Sequence, residues 1–183
     1  MFKKLFLVVA LLAAVLVGGP ALAGKLTGEN LLTPLPSGFK LGFSQGGDFM
    51  EYVPEGETVR DWSQMLTVSV YRGKSLDPDE YSKNLAAGWS KACPGGEATK
   101  VTSGTENHYA FALWLYACPL NPETGKPETM TMKSIRGADS FYIVQYAHRK
   151  AADQTTVTPE AKYLRGVMVC DTRKSDRQCP SGM

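Results

Sequence analysis

Between His108 and His148 the chain carries its longest apolar runs outside the N-terminus, and any fold must be built around them. His108 to Cys118 reads HYAFALWLYAC and Ser140 to His148 reads SFYIVQYAH, both rich in the aromatic and branched residues that suit strands. In the first run Tyr109, Phe111, Leu113 and Leu115 fall on one side, and Ala110, Ala112, Trp114 and Tyr116 on the other. A strand without a polar face has to be covered on both sides. Glu128 to Arg136, between them, alternates more cleanly, with Met130 and Met132 on one face and Thr129, Thr131 and Lys133 on the other. The spacing predicts a three-stranded meander at the centre of a sheet.

The start of the chain reads as a secretory signal. Lys3 and Lys4 precede an apolar core from Leu5 to Val17, and Ala21-Leu22-Ala23 supplies an A-x-A cleavage site before Gly24. Gly18, Gly19 and Pro20 interrupt the run short of the roughly 20 apolar residues a membrane span needs, so no stable span is expected after the signal is removed. No cysteine lies at the cleavage site to take a lipid. Residues 1–23 are therefore read as the signal and 24–183 as a single globular domain, with its core over 39–173 and a tail over 174–183. The product is expected to be exported, periplasmic or secreted. The chain holds 20 Lys and Arg against 18 Asp and Glu, and the signal removes Lys3 and Lys4, which leaves the mature chain balanced. A neutral domain has no electrostatic footprint for nucleic acid. The four cysteines, Cys93, Cys118, Cys170 and Cys179, are an even count in an oxidising compartment and predict two disulfides.

Along the chain, Gly24 to Ser37 has no clear period and reads as a lead-in. Phe39 to Phe43 and Phe49 to Val53 form a predicted hairpin around Gly46-Gly47, and Leu66 to Arg72 a strand expected nearer a sheet edge than the apolar runs. Asp77-Pro78-Asp79-Glu80 opens a helix, with an N-cap, a proline at the first helical position and an acid at N3. Tyr81, Leu85, Gly88, Trp89 and Ala92 recur along its packing face, and Pro94-Gly95-Gly96 ends it. A short strand over Glu97 to Ser103 then turns through Gly104 to Asn107 into the first apolar run. A hairpin centred near residue 105 sets position 93 opposite 117 or 118, which pairs Cys93 with Cys118 and leaves Cys170 for Cys179. A proline-bounded loop over 119–127 and a tight turn at Gly137 to Asp139 connect the meander. Thr158-Pro159-Glu160 repeats the cap-plus-proline start, for a second helix carrying Ala161, Leu164, Val167 and Met168 and ending near Thr172.

A hairpin, a strand, a capped helix, four antiparallel strands and a closing helix resemble the PsbP-like fold. Its local echoes are Gly104 to Tyr116, a turn into an apolar aromatic strand, and GADSFYIVQYA over Gly137 to Ala147, which looks like the last strand before the C-terminal helix. The likeness spans about Phe39 to Arg173. It implies an α+β chain with an antiparallel sheet of about six to seven strands flanked by helices, an α/β/α sandwich. Members include an accessory subunit of the photosynthetic oxygen-evolving complex, a release factor for a Ran-type GTPase and many exported bacterial proteins. The resemblance therefore implies a non-enzymatic binding or accessory module. It carries over no binding residues, and the disulfides are not part of its pattern.

The residues assemble no catalytic motif. There is no G-x-S-x-G elbow, and the cysteines are accounted for as disulfides. The two imidazoles, His108 and His148, fall at opposite ends of the meander, about 30 Å apart at ~3.3 Å per residue, too far to share a metal. Met130 and Met132 with Met50, Met65 and Met168 are soft copper ligands in principle, but two methionines on one strand face are usually core filler. No cofactor is expected. Gly46-Gly47 and Gly95-Gly96 read as turns, since neither follows a strand and opens a helix as a phosphate loop does. Trp62 beside Tyr52, with Asn121 and Lys126 of the proline-bounded loop, is the candidate surface for a protein partner in the cell envelope or outside the cell. The alternatives are an exported hydrolase with a dispersed site, and a small-ligand or metal carrier with a pocket between sheet and helix lined by Met130 or Met132.

Overall fold

The computed structural model of the chain describes residues 26–180. The secretion signal expected over 1–23 lies outside the described residues. Nine strands and two helices follow in the order β1 (Glu29–Leu32), β2 (Phe39–Gln45), β3 (Phe49–Pro54), β4 (Gln64–Arg72), α1 (Pro78–Ala92), β5 (Glu97–Glu106), β6 (Tyr109–Asn121), β7 (Lys126–Arg136), β8 (Ser140–His148), α2 (Gln154–Gly166) and β9 (Met168–Asp171). Seven strands form one antiparallel sheet in the order β2-β3-β4-β8-β7-β6-β5, while β1 and β9 pair separately. The meander β6-β7-β8 is present as the sequence predicts, and β8 is the middle strand. β4 is not the more peripheral one. It lies between β3 and β8, whereas the very apolar β6 sits one place from the edge, and only β5 lies beyond it. β6 needs no polar face because both its faces are covered.

Each face of the sheet has its own apolar cluster. On one side Ala112, Trp114, Tyr116, Met130, Met132, Phe141 and Ile143 pack against Tyr81, Leu85 and Trp89 of α1. On the other, Leu66, Val68, Leu113, Ile135, Val144 and Tyr146 pack against Leu164 of α2 and Val167 and Val169 beyond it. The α1 start is as read from the sequence: Asp77 Oδ1 accepts from the backbone N–H of Asp79 at 3.0 Å and Glu80 at 2.9 Å, and Pro78 takes the first helical position.

The second helix starts earlier and ends sooner than the sequence suggested. Asp153 is its N-cap, accepting from the N–H of Thr155 and Thr156, so Pro159 lies inside the helix. The helix stops at Gly166 because Met168–Asp171 pairs with Glu29–Leu32, which turns the lead-in into a strand. Glu29 fastens that strand to the sheet. Its carboxylate accepts from the backbone N–H of Ala138, Asp139 and Ser140 and from the Tyr142 hydroxyl. Gly137 makes room for this contact, since a Cβ there would lie 2.3 Å from Glu29 Oε1 and 2.7 Å from Ser140 O.

Both disulfides pair as expected, Cys93 with Cys118 and Cys170 with Cys179. The register that brings the first pair together differs in detail from the expectation. The β5–β6 turn is at Asn107-His108 rather than near residue 105, and Glu97 pairs with Ala117; Cys93 reaches Cys118 from the C-cap of α1, where the backbone N–H of Gly96 turns back to Cys93 O at 2.8 Å. Both turn residues have positive φ, 45° and 63°, the pattern of a type I′ hairpin in which glycine is favoured at the second position. His108→Gly is therefore expected to raise stability by about 0.5 kcal/mol, relief of side-chain strain outweighing the added freedom of the unfolded chain. The midpoint of urea unfolding measures it. An unchanged or lower midpoint would show that His108 bears no strain there.

Candidate functional site

The β7 face that reads as polar in sequence is buried beneath α2. Thr129, Thr131 and Lys133 are almost inaccessible, and each has a partner from another element. Thr129 Oγ1 donates to Lys150 O at 2.9 Å, Thr131 Oγ1 to Glu160 Oε2 at 3.1 Å, and Lys133 Nζ to Glu106 Oε2 at 2.5 Å and Val167 O at 2.6 Å. Glu160 lies one turn before Leu164 on the stripe of α2 that faces the sheet, which is why a carboxyl is carried inside.

Next to Thr131 the last residue of β8 turns the same way. His148 faces α2 in register with Tyr146, Val144 and Tyr142, pairing with Thr129 on one side and Gln64 on the other. It is 2% exposed and Glu160 is 6% exposed. His148 Nε2 lies 3.3 Å from Glu160 Oε1, within ion-pair distance but outside hydrogen-bond geometry, and among the described residues neither ring nitrogen makes a hydrogen bond. Burial pushes the Glu160 carboxyl up to about 8, against the lowering effect of the Thr131 hydroxyl. Burial, and then the charge of Lys150, push the His148 imidazole down. At neutral pH the pair is a protonated acid against a neutral imidazole, and it holds one proton.

The pair forms the floor of a cleft of about 300 Å³ between the end of β8 and the first turns of α2. Its walls are Tyr146, Tyr163, Pro36 and Pro159, with Gln64 and Lys150 among the polar lining. Tyr146 and Tyr163 meet edge to face, with ring centroids 5.5 Å apart. Their hydroxyls are committed, Tyr146 to Gln64 Oε1 at 3.0 Å and Tyr163 to Pro34 O at 2.5 Å. The nearby helix N-terminus is committed too, because Asp153 already takes its first free N–H groups. The site is thus a small, mostly apolar cleft with a few converging polar groups, the usual form of a ligand pocket. A second concavity of about 420 Å³ lies between β1 and the β3–β4 surface, and its principal acid, Glu29, is already bound to backbone.

The candidate partner residues do not come together as one patch. Tyr52 packs with the cluster on the α2 side of the sheet and Trp62 with the cluster on the α1 side. Trp62 lies beneath the Arg149 guanidinium, 4.4 Å from the ring centroid, and shares a shallow concavity with Lys126. Asn121 pairs with Lys126 across the turn that replaces the expected loop, and its amide donates to Glu128 Oε2 at 2.8 Å. Met130 and Met132 are core residues under α1, away from the cleft. Among the described residues no three His, Cys, Asp or Glu side chains cluster closely enough to hold a metal. The sequence singled out His148 but placed Glu160 in a helix cap, so the buried pair was missed. Its only signal was an acid four residues before Leu164 on a helix face.

No family model and no curated protein matches the chain. Solved structures do. The chain is similar to cyanobacterial PsbP from Synechocystis, at 10% identity over 82% of this chain and 98% of that one, with a TM-score of 0.46. It is also similar to LpqN of Mycobacterium tuberculosis, described as involved in cell envelope biogenesis, at 14% identity over 80% and 87% with a TM-score of 0.48. The Saccharomyces cerevisiae Ran-binding protein Mog1p matches at 10% identity over 75% and 85%, with a TM-score of 0.43. At these identities the likeness extends to the arrangement of strands and helices and not to what is bound. The two disulfides fit an oxidising compartment. Among the described residues no helix is long and apolar enough to cross a membrane.

Proposed function

We propose that the chain is an exported binding module, periplasmic or secreted, that takes a small ligand in the cleft between β8 and α2. One observation carries this reading. Two tyrosine rings and two prolines wall a space of about 300 Å³ into which Gln64 and Lys150 bring polar groups above the buried His148 and Glu160, an apolar body with a few converging polar groups. The lining supports a carrier, as the alternative reading held, on the Thr and His face of β7 and β8 rather than on the methionine face.

A titration of the folded protein with benzoate, benzamide, phenol and glucose, followed by amide NMR shifts, tests the reading. At least one probe is expected to move resonances of Tyr146, His148 and Thr155 together, and Gln64→Leu, an exposed change at the end of β4, is expected to weaken that binding. A folded protein whose cleft resonances ignore all four probes would overturn it. The contact of Arg149 with Trp62 beside Lys126 supports a protein-docking role for that surface as well. Capture of the same partner by the wild type and by Arg149→Ala would count against that role.

A further inference from the structure

We infer that the ligand of this cleft is a small monocarboxylate on a single planar ring, an inference that rests on the cleft being a binding site. The argument is an inventory of donors and acceptors. Most acceptors around the cleft are already used: Glu160 Oε2 takes the Thr131 hydroxyl, Gln64 Oε1 takes the Tyr146 hydroxyl, and Pro34 O takes the Tyr163 hydroxyl, while Glu160 Oε1 faces His148. Asp153 Oδ1 takes the backbone N–H of both Thr155 and Thr156, and Glu57 takes the N–H and hydroxyl of Ser63.

What remains on offer is mostly donors. Gln64 is exposed and keeps its amide NH2 once Oε1 is bound. Lys150 brings an ammonium to the exposed side of the cleft, its backbone fixed by the Thr129 hydroxyl while its side chain is solvent-exposed. A ligand that satisfies these groups brings acceptors and a negative charge, and a carboxylate supplies both. The body of the ligand is set by the walls. Two tyrosine rings and two prolines line a space of about 300 Å³, suited to one flat ring and too small for an extended chain or an oligosaccharide. A phosphate is disfavoured because the α2 N-terminus, its natural seat, is occupied by Asp153.

The test compares benzoate with benzamide and benzylammonium by calorimetry on the intact, disulfide-bonded protein at neutral pH. Benzoate is expected to bind about tenfold more tightly than benzamide, the effect of one charge-assisted contact, with benzylammonium weakest. Lys150→Met, a change of an exposed side chain, is expected to remove the preference for benzoate over benzamide. Benzamide binding as tightly as benzoate, or a preference that survives Lys150→Met, would overturn the carboxylate assignment and leave the cleft as a site for a neutral ligand. No shift of cleft resonances by any probe would take away the binding reading itself, and the assignment with it.

Discussion

Replacing Glu160 by Gln should change how stability depends on pH more than any other single substitution in this protein. The folded carboxyl titrates near 8 against about 4.5 when exposed. Between those values the folded chain holds a proton that the unfolded chain has lost, so stability falls as pH rises, by about 1.4 kcal/mol per pH unit. His148 acts in the opposite sense. Its folded imidazole titrates below 6.5, so under that value the unfolded chain holds the extra proton and stability falls as pH falls. The two slopes cancel between the folded His148 value and 6.5, and the decline appears from about pH 6.5 to 8, amounting to roughly 2 kcal/mol. This does not depend on which partner carries the shared proton, because only the count of protons enters the linkage. In Glu160→Gln the decline above pH 6.5 is expected to vanish, making the variant more stable than wild type at pH 9 by up to about 5 kcal/mol. In His148→Phe the cancellation is lost and the decline should begin near pH 4.5. Urea midpoints for the three proteins from pH 5 to 9 give the answer. A wild-type midpoint that stays flat from pH 6.5 to 8.5 would show that Glu160 is ionised in the fold at neutral pH.

The same pair shows where sequence reading succeeds and where it stops. Local rules located β2, β3, β4, α1 and the meander, because each is defined by its own alternation or cap. The Gly46 and Gly47 turn and the Asp77 cap are decided by residues within a few positions of one another. The Cys93–Cys118 pairing followed from counting along one hairpin, although the turn lies further on and Cys93 reaches Cys118 from the end of α1 rather than by strand register. Signals that compete, or that depend on distant partners, were not decidable. Thr158-Pro159 reads as the start of the second helix, but Asp153 is the cap and accepts from the N–H of Thr155 and Thr156. Val167 to Cys170 suits a helix or a strand equally, and the choice is made by Glu29–Leu32 well over a hundred residues earlier. Thr129, Thr131 and Lys133 look like a solvent face because periodicity reports polarity and not burial. Their partners, Glu106, Glu160, Lys150 and Val167, lie about 20 to 35 residues away and leave no local trace.

Lys133 tests this hidden polar layer most directly. Its ammonium is 1% exposed, bound to Glu106 and to the Val167 carbonyl, and lies 4.8 Å from the Phe111 ring centroid. Glu106 alone supplies a compensating charge among these contacts, and its side chain is 35% exposed, so it reaches the ammonium from the edge strand β5. Glu106→Gln leaves a buried cation facing a carbonyl and an aromatic ring, and breaking a buried pair from one side typically destabilises by about 3 to 5 kcal/mol. Partial exposure of Glu106 places the expected loss at the lower end, about 3 kcal/mol at pH 7. Burial already lowers the Lys133 ammonium, and removing Glu106 lowers it further. The folded variant then sheds this proton at a lower pH than the unfolded chain, so the variant regains stability as pH rises toward 10. Adding Lys133→Met to Glu106→Gln removes the stranded charge and keeps an apolar stem over Phe111. It is expected to recover most of the loss, short of about 1 kcal/mol for the unpaired Val167 carbonyl. A double-mutant cycle in urea at pH 7 and pH 9.5 measures these quantities. If Glu106→Gln were neutral at both pH values, the Val167 carbonyl and the Phe111 ring alone would be holding the charge. If the double variant were no more stable than the single one, the loss would lie in the Glu106 side chain's packing on the sheet edge and not in the charge it leaves behind.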